Sequence, residues 1–414
     1  RVVVVKGKAT AYAGSPVTDA AVTWRVVRNA RFPRPWWLGT DRFPMSRAME
    51  IASGTGITGP GGEFEVRFPA IPDEAIAPSL SPVFTYTVQV TVADASGETH
   101  DARSTVSAGY ESLILTTNLG EAVNRDEAPD IEVTATNLDK KPEKVSGEVT
   151  VSRITPPARI IFPKPWSKPN RHLLTEKTYR DLFPGEIYGN EEDRTTWPVG
   201  ETVLSAKFET PGKAAIPGLR KLEPGHYVLN ITTSDTSGKA IRYSHYFTLF
   251  SPEEGKSITV DPLTLTLLTP TAEPGQTASF LISTPLRKAH VKVLLVSQNS
   301  APRTYYFTID NRQMRVDLPI TEADRGNIAI RAIMARENRV FQEEALITGP
   351  WSNKKLDITV GSFRDKLLPG AQEEWRVTIR DKNREPVAAE LMATLYDASL
   401  DIFSPLQWYF SLYH

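Results

Sequence analysis

Phe84-Thr-Tyr-Thr-Val-Gln-Val-Thr-Val92 alternates apolar and polar side chains without a break. A period of two puts alternate side chains on one face of an extended chain, so this stretch reads as a half-buried β-strand. Asp94-Ala-Ser-Gly97 follows as a turn, with Gly97 free to take positive φ, and residues 98–107 return. The unit is a β-hairpin. It recurs at Tyr227-Val-Leu-Asn-Ile-Thr232, Ser234-Asp-Thr-Ser-Gly238 and residues 239–250. Both copies read as the closing hairpin of a β-domain.

A second unit repeats along the chain: an alternating strand, a polar turn and another strand. Its copies run over residues 9–26, 133–151, 278–296 and 375–395. Two copies open on Pro-Gly, at Glu273-Pro-Gly275 and Leu368-Pro-Gly370, where Pro pre-sets φ and Gly takes the positive-φ position. The chain has 414 residues, enough for three or four domains of ordinary size. Its 32 prolines leave little room for long helices. The expected fold is all-β: tandem fibronectin- or immunoglobulin-like β-sandwiches over residues 1–108, 109–254, 255–351 and an incomplete 352–414.

Two Pro/aromatic-rich insertions interrupt this pattern. The first, near residues 29–50, contains Phe32-Pro-Arg-Pro-Trp-Trp37; the second, near 155–200, contains Phe162-Pro-Lys-Pro-Trp166. Leu173-Leu-Thr-Glu-Lys-Thr-Tyr-Arg-Asp-Leu-Phe183 is the one short helix expected, with Tyr179, Leu182 and Phe183 at helical spacing and Pro184-Gly185 ending it. Trp36, Trp37 and Trp166 suit packing between adjacent domains; stacking on sugar or peptide is the competing role.

The chemistry-bearing motifs are weak. Gly54-Thr-Gly-Ile-Thr-Gly59 has the letters of a dinucleotide fingerprint, but Pro60-Gly-Gly62 and a strand follow where a helix must start. It reads as a Gly-rich turn. His100, His172, His226, His245, His290 and His414 show no metal-ligand spacing. His226 and His245 are the pair that one hairpin could bring together. Glu191-Glu-Asp193 reads as a solvated acidic loop rather than a calcium cage. There is no nucleophile elbow and no phosphate loop. No catalytic, cofactor-binding or metal residue is therefore assigned, no cofactor is expected, and the chain reads as non-enzymatic.

Forty-eight basic against 49 acidic residues give a net charge of −1, which argues against a nucleic-acid scaffold. With no cysteine, disulfides, Cys-ligated metals and a Cys nucleophile are excluded within these residues. Residues 2–5 form as long an apolar run as any, far below the roughly 20 residues of a membrane helix. No signal peptide is legible, and the chain starts inside a strand-like run, as a processed or excised piece would.

Taken in order, several motifs resemble the bacterial alpha-2-macroglobulin family in its Bacteroidetes-type form. They are Gly7-Lys-Ala-Thr-Ala-Tyr-Ala-Gly-Ser-Pro-Val17, Val22-Thr-Trp-Arg-Val-Val-Arg28 and Pro82-Val-Phe-Thr-Tyr-Thr-Val88, then Phe363-Arg-Asp-Lys-Leu-Leu-Pro-Gly370 and Ala393-Thr-Leu-Tyr-Asp-Ala-Ser-Leu-Asp401. The resemblance implies a run of macroglobulin domains upstream of a protease-sensitive bait segment. It implies a scaffold in a broad-spectrum protease inhibitor, with target proteases as partners of the full-length parent and neighbouring macroglobulin domains as its contacts. It also implies an extracytoplasmic setting, periplasmic or lipoprotein-tethered. Two other readings compete. One is a cell-surface adhesion or glycan-binding array using Trp36, Trp37 and Trp166, which oligosaccharide quenching of tryptophan fluorescence would reveal. The other is an accessory array beside a downstream hydrolase domain.

Overall fold

The structure is a computed structural model that describes residues 2–11, 14–32, 46–163, 171–210, 215–235, 238–298, 300–361, 370–381, 384–385, 387, 389–392 and 396. Its described residues form antiparallel sheets, and the fold is all-β: sandwiches in tandem, with one short α-helix among the described residues. Two compact units hold them. The first contains Arg1–Thr155 and Pro198–Leu249, the second Pro156–Trp197 and Phe250–His414.

The first sandwich is built from β1 (Val2–Lys8), β2 (Ala21–Arg31), β3 (Met49–Ile57), β4 (Glu63–Pro69), β5 (Val83–Ala93) and β6 (Thr99–Gly109). Its sheets run β1-β4 and β3-β2-β5-β6. The inward set of β5, including Phe84, Tyr86, Val88 and Val90, meets Val22 and Val26 of β2 and Val66 and Phe68 of β4. The β5–β6 turn is made by Asp94, whose Oδ1 accepts from the N–H groups of Ser96 (2.9 Å) and Glu98 (3.0 Å), while Gly97 takes φ +85°. The Ser96 hydroxyl, with those N–H groups, holds the Asp94 carboxyl below the usual carboxylate range.

One strand differs from the sequence reading. The first strand is Val2–Lys8, which pairs with β4 from Val2↔Pro69 to Lys8↔Glu63. Residues 9–11, expected as strand, lie in the turn that follows, where Ala11 donates to Ser15 (2.8 Å) and Thr10 bridges Pro16. Small side chains alternate there, but they have little apolar area to bury, and the valine run takes the core position instead.

The second sandwich has β7 (Leu113–Thr117), β8 (Ala122–Asn124), β9 (Val133–Asn137), β10 (Val145–Ile154), β11 (Val199–Thr210), β12 (Gly225–Ser234) and β13 (Ala240–Phe250). Sheet β7-β9 faces sheet β11-β10-β12-β13-β8. Val149, Val151, Leu229, Ile231, Phe247 and Leu249 fill the space between them at 0 % exposure. The β12–β13 turn repeats the first: Asp235 Oδ1 accepts from Lys239 N (2.9 Å) and Gly238 sits at φ +82°.

Between β10 and β11 the chain leaves this sandwich. The base of the excursion is closed by Thr155 N donating to Pro198 O at 2.9 Å, and residues Pro156–Trp197 belong to the second unit. This excursion carries α1 (Glu176–Leu182), capped by Thr175. The helix starts later than the sequence suggests, because Thr175 accepts from Thr178 N (3.3 Å) and fixes the first turn beyond it. None of its residues is buried, and Leu182 and Phe183 are exposed, so the expected apolar face does not face a core.

The third sandwich comprises β14 (Thr264–Leu267), β15 (Thr277–Thr284), β16 (Ala289–Ser297), β17 (Ser300–Ile309), β18 (Arg312–Pro319), β19 (Gly326–Arg336) and β20 (Arg339–Gly349). Its sheets, β14-β15-β18 and β17-β16-β19-β20, have a fibronectin-like arrangement of three strands over four. β15 is buried along almost its whole length, and Phe280 is fully enclosed. Downstream, β21 (Asp357–Val360) pairs with β22 (Val377–Arg380). Gly275 and Gly370 of the two Pro-Gly turns take φ +89° and +78°.

Candidate functional site

The connection that enters the central strand β5, β12 or β19 is fastened in all three sandwiches. Tyr86 donates its hydroxyl to Ile71 O at 3.1 Å, and Tyr227 to Glu223 O at 2.6 Å. Each Tyr is 1 % exposed, and burial pushes both phenols above their ordinary value. Tyr227 makes the tyrosine corner of β-sandwiches, in which a ring fills the core while its hydroxyl ties the turn just upstream; Tyr86 ties a carbonyl 15 residues upstream in the same manner. Sequence reading missed it. The available signal was Pro224-Gly225-His226-Tyr227, a turn pair running straight into an alternating strand. Tyr227→Phe should cost about 0.5–1.5 kcal/mol, the net worth of one hydrogen bond, because Glu223 is exposed and its carbonyl can recover water. A denaturant midpoint for the second sandwich equal to wild type would refute that role.

The third sandwich uses charge at the same corner. Asp324 is 1 % exposed and accepts from Thr321 N (3.0 Å), Thr321 Oγ1 (2.8 Å) and Arg303 Nη2 (2.6 Å). Arg325, 4 % exposed, donates to both oxygens of Glu322 (2.7 and 3.0 Å), to Glu273 (3.0 Å) and to Pro350 O (2.7 Å). Ser352 Oγ joins through Glu273 at 2.9 Å. Arg325 thus ties the β18–β19 corner to the segment leaving β20. The planar guanidinium fork suits this multidentate role.

The residues singled out in the sequence are mostly structural and are not brought together. Gly54 faces Trp24 across the β2–β3 ladder, and a Cβ there would meet the indole at 2.5 Å. Phe208 covers Gly147 in the same way, at 2.8 Å. The Gly54–Gly59 letters therefore serve aromatic packing and a turn, with a strand following. His226 faces Thr248 in the β12–β13 ladder, whereas His245 faces Leu229, three positions away. His226 Nδ1 lies 3.0 Å from Thr248 Oγ1, an imidazole–hydroxyl contact that is buried at 5 % exposure and closed to substrate. His100 meets Glu98, His172 stacks on Tyr188 at 4.0 Å between centroids, and His290 contacts Thr308. Among the described residues no group of three or more His, Asp or Glu could hold a metal. His414, Trp36, Trp37 and Trp166 lie outside the described residues, as do residues 363–369 and most of residues 393–401.

His245 has a pH consequence. It is 4 % exposed, with Nε2 3.1 Å from Gly120 O, so the neutral Nε2–H tautomer donates to that carbonyl. Burial lowers its pKa, against the pull of Gly120 and Glu121. The unfolded chain then takes up a proton below about pH 6.5 before the native one does, so stability is full above that pH and falls as the pH drops. The slope is at most about 1.4 kcal/mol per pH unit. His245→Gln keeps a donor and cannot titrate in this range. The difference in stability between wild type and variant should change between pH 7 and 5; a constant difference would sink the assignment.

Glu191, expected in a solvated loop, is a hub. It accepts from Arg159 (2.6 Å), Gly189 N (2.7 Å) and Tyr188 N (3.2 Å). Burial raises its pKa, but the backbone N–H groups and Arg159 outweigh it and leave the carboxyl below its ordinary range. Asp193 caps a short turn by accepting from Thr195 N at 3.0 Å.

No protein-family model matches the chain, and no curated protein does. Solved structures similar to it include native Escherichia coli alpha-2-macroglobulin, at 12 % identity and TM-score 0.33, over 93 % of this chain and 24 % of that one. A Salmonella alpha-2-macroglobulin mutant gives 14 % and 0.32, over 92 % and 24 %. A tetra-tandem repeat from the extending region of a large adhesion protein gives 11 % and 0.20, over 87 % and 73 %. The chain spans about a quarter of the alpha-2-macroglobulin chains it matches. The fold assignment rests on the ladders and cores described above. No helix among the described residues is long and apolar enough to cross a membrane.

Proposed function

We propose that residues 1–414 are a scaffold segment of an alpha-2-macroglobulin-like protease inhibitor. The sandwiches would correspond to macroglobulin-like domains at 1–108, 109–254, 255–351 and 352–414. The observation that supports this reading is one sandwich plan repeated in series along the chain. Of the motifs quoted in the sequence, Gly7 and Lys8 end β1, Val22…Arg28 lies within β2, and Pro82…Val88 leads into β5. Buried hydroxyls and ion pairs fix the loops between central strands, which suits a mechanical rather than a catalytic role. In the parent, cleavage of a bait segment beyond His414 would release the arrangement and trap the protease, in a periplasmic or lipoprotein-tethered setting.

The test is limited proteolysis of the intact polypeptide with proteases of unlike specificity. Cuts converging on one short segment beyond His414, with the protease then active on small substrates only, support the trap. First cuts scattered among the connections, with the protease fully active on large substrates, reject it.

A further inference from the structure

We infer that the first sandwich is an acceptor for one added strand: an extended polypeptide segment with leucine at alternate positions, seated antiparallel along the free edge of β1 and over β6. The sheet plans carry this. Strand for strand, the first sandwich matches the third. Sheet β3-β2-β5-β6 corresponds to β17-β16-β19-β20, and the antiparallel pair β1-β4 to β15-β18. The third sandwich has one strand more, β14, which pairs antiparallel with β15 and lies against β20. In the second sandwich β7 holds the same place beside β9. In the first, no strand among the described residues holds it.

Burial marks the gap from both sides. β15 presents Ala278, Phe280 and Ile282 at 0 % exposure. Their counterparts on β1, Val3 and Val5, are only partly buried, and between them Val4 is 43 % exposed. On β6, Ala102 and Ser104 pair with Val90 and Val88 and so share their core-facing side, yet both are exposed. On β20, Ile347 pairs with Ile328 in the same sense and is 0 % exposed. An unpaired β1 edge beside an uncovered stretch of β6 leaves a place one strand wide. Main-chain hydrogen bonding to such an edge is what strand addition uses.

The two filled places give the occupant's chemistry. β7 buries Leu113 and Leu115, and the β14 run Leu263-Thr-Leu-Thr-Leu267 turns its three leucines to the core. A strand of that kind sets its leucines opposite Val3 and Val5. A second copy of the chain does not supply one, because β7 and β14 are already paired in their own sheets. The inference goes beyond the scaffold reading and does not depend on it.

The test is hydrogen exchange on the 414-residue chain, read by mass spectrometry, with a synthetic peptide of the sequence of residues 261–268 flanked by lysines for solubility. At about ten times its dissociation constant, the peptide should slow exchange of residues 2–8 about tenfold and leave β16 and β19 unchanged. A control peptide carrying Leu263→Ser, Leu265→Ser and Leu267→Ser should protect nothing. If the leucine peptide does not bind, or protects β15 and not β1, the inference is overturned, because the β1 edge is then no acceptor. Equal protection by the control overturns it as well, because leucine is then not what the place selects. So does a chain that sediments as a dimer with residues 2–8 already protected, because a second copy then fills the place.

Discussion

Phe280→Ala should destabilise the third sandwich by about 3–5 kcal/mol, the range for emptying an enclosed aromatic site in a core. Phe280 is fully buried at the centre of β15, opposite Leu267 of β14 and Val316 of β18. Those neighbours are fixed by ladders on both sides, so the walls cannot collapse far into the gap. For a domain of about 100 residues, a loss of this size lowers the melting temperature by on the order of 15–20 °C. Calorimetry should show one transition moving while that of the first unit stays in place. If both move together, the units do not unfold separately, and the cost belongs to the whole chain.

Arg325→Ala is expected to be the next largest, at about 3 kcal/mol, the lower end for breaking a buried ion pair. The upper end does not apply, because the freed carboxylates can recover water: Glu322 is 71 % exposed and Glu273 37 %. The Pro350 carbonyl loses its Arg325 donor. Arg325→Met retains much of the side-chain volume and separates packing from charge. If Met restores wild-type stability by chemical denaturation, the guanidinium is not what holds the corner.

The strands were legible because their signal is local. Alternation over residues 84–92, 145–151 and 290–296 announces one buried face, and Asp-x-Ser-Gly marks the turn between paired strands. The corner locks were not. Arg325 finds Glu273 52 residues upstream and Pro350 25 residues downstream, and no local pattern separates it from a solvated arginine. Tyr227 was read as one more apolar position, since alternation reports the ring and not the hydroxyl. Glu191 looked exposed because acidic runs usually are; its partners Arg159 and Tyr188 become visible only once the excursion between β10 and β11 has folded. The strand-like run at the start of the chain is β1, but the alternation at residues 9–11 was expected to be strand as well, and only the pairing with β4, which ends at Lys8, separates the two.

The excursion between β10 and β11 also sets a schedule for synthesis. A ribosome delivers residues 156–197 well before it finishes the sandwich that receives them, whose last strand ends at Gly349. At about 5–20 residues per second, Phe162 waits on the order of 10–30 s for the cluster that buries it. During that interval Phe162, buried in the third sandwich's cluster once folding is complete, is open to solvent or to a chaperone. The nascent chain therefore carries Phe162 uncovered until β20 has been made, and any pause between Phe162 and Gly349 lengthens that interval.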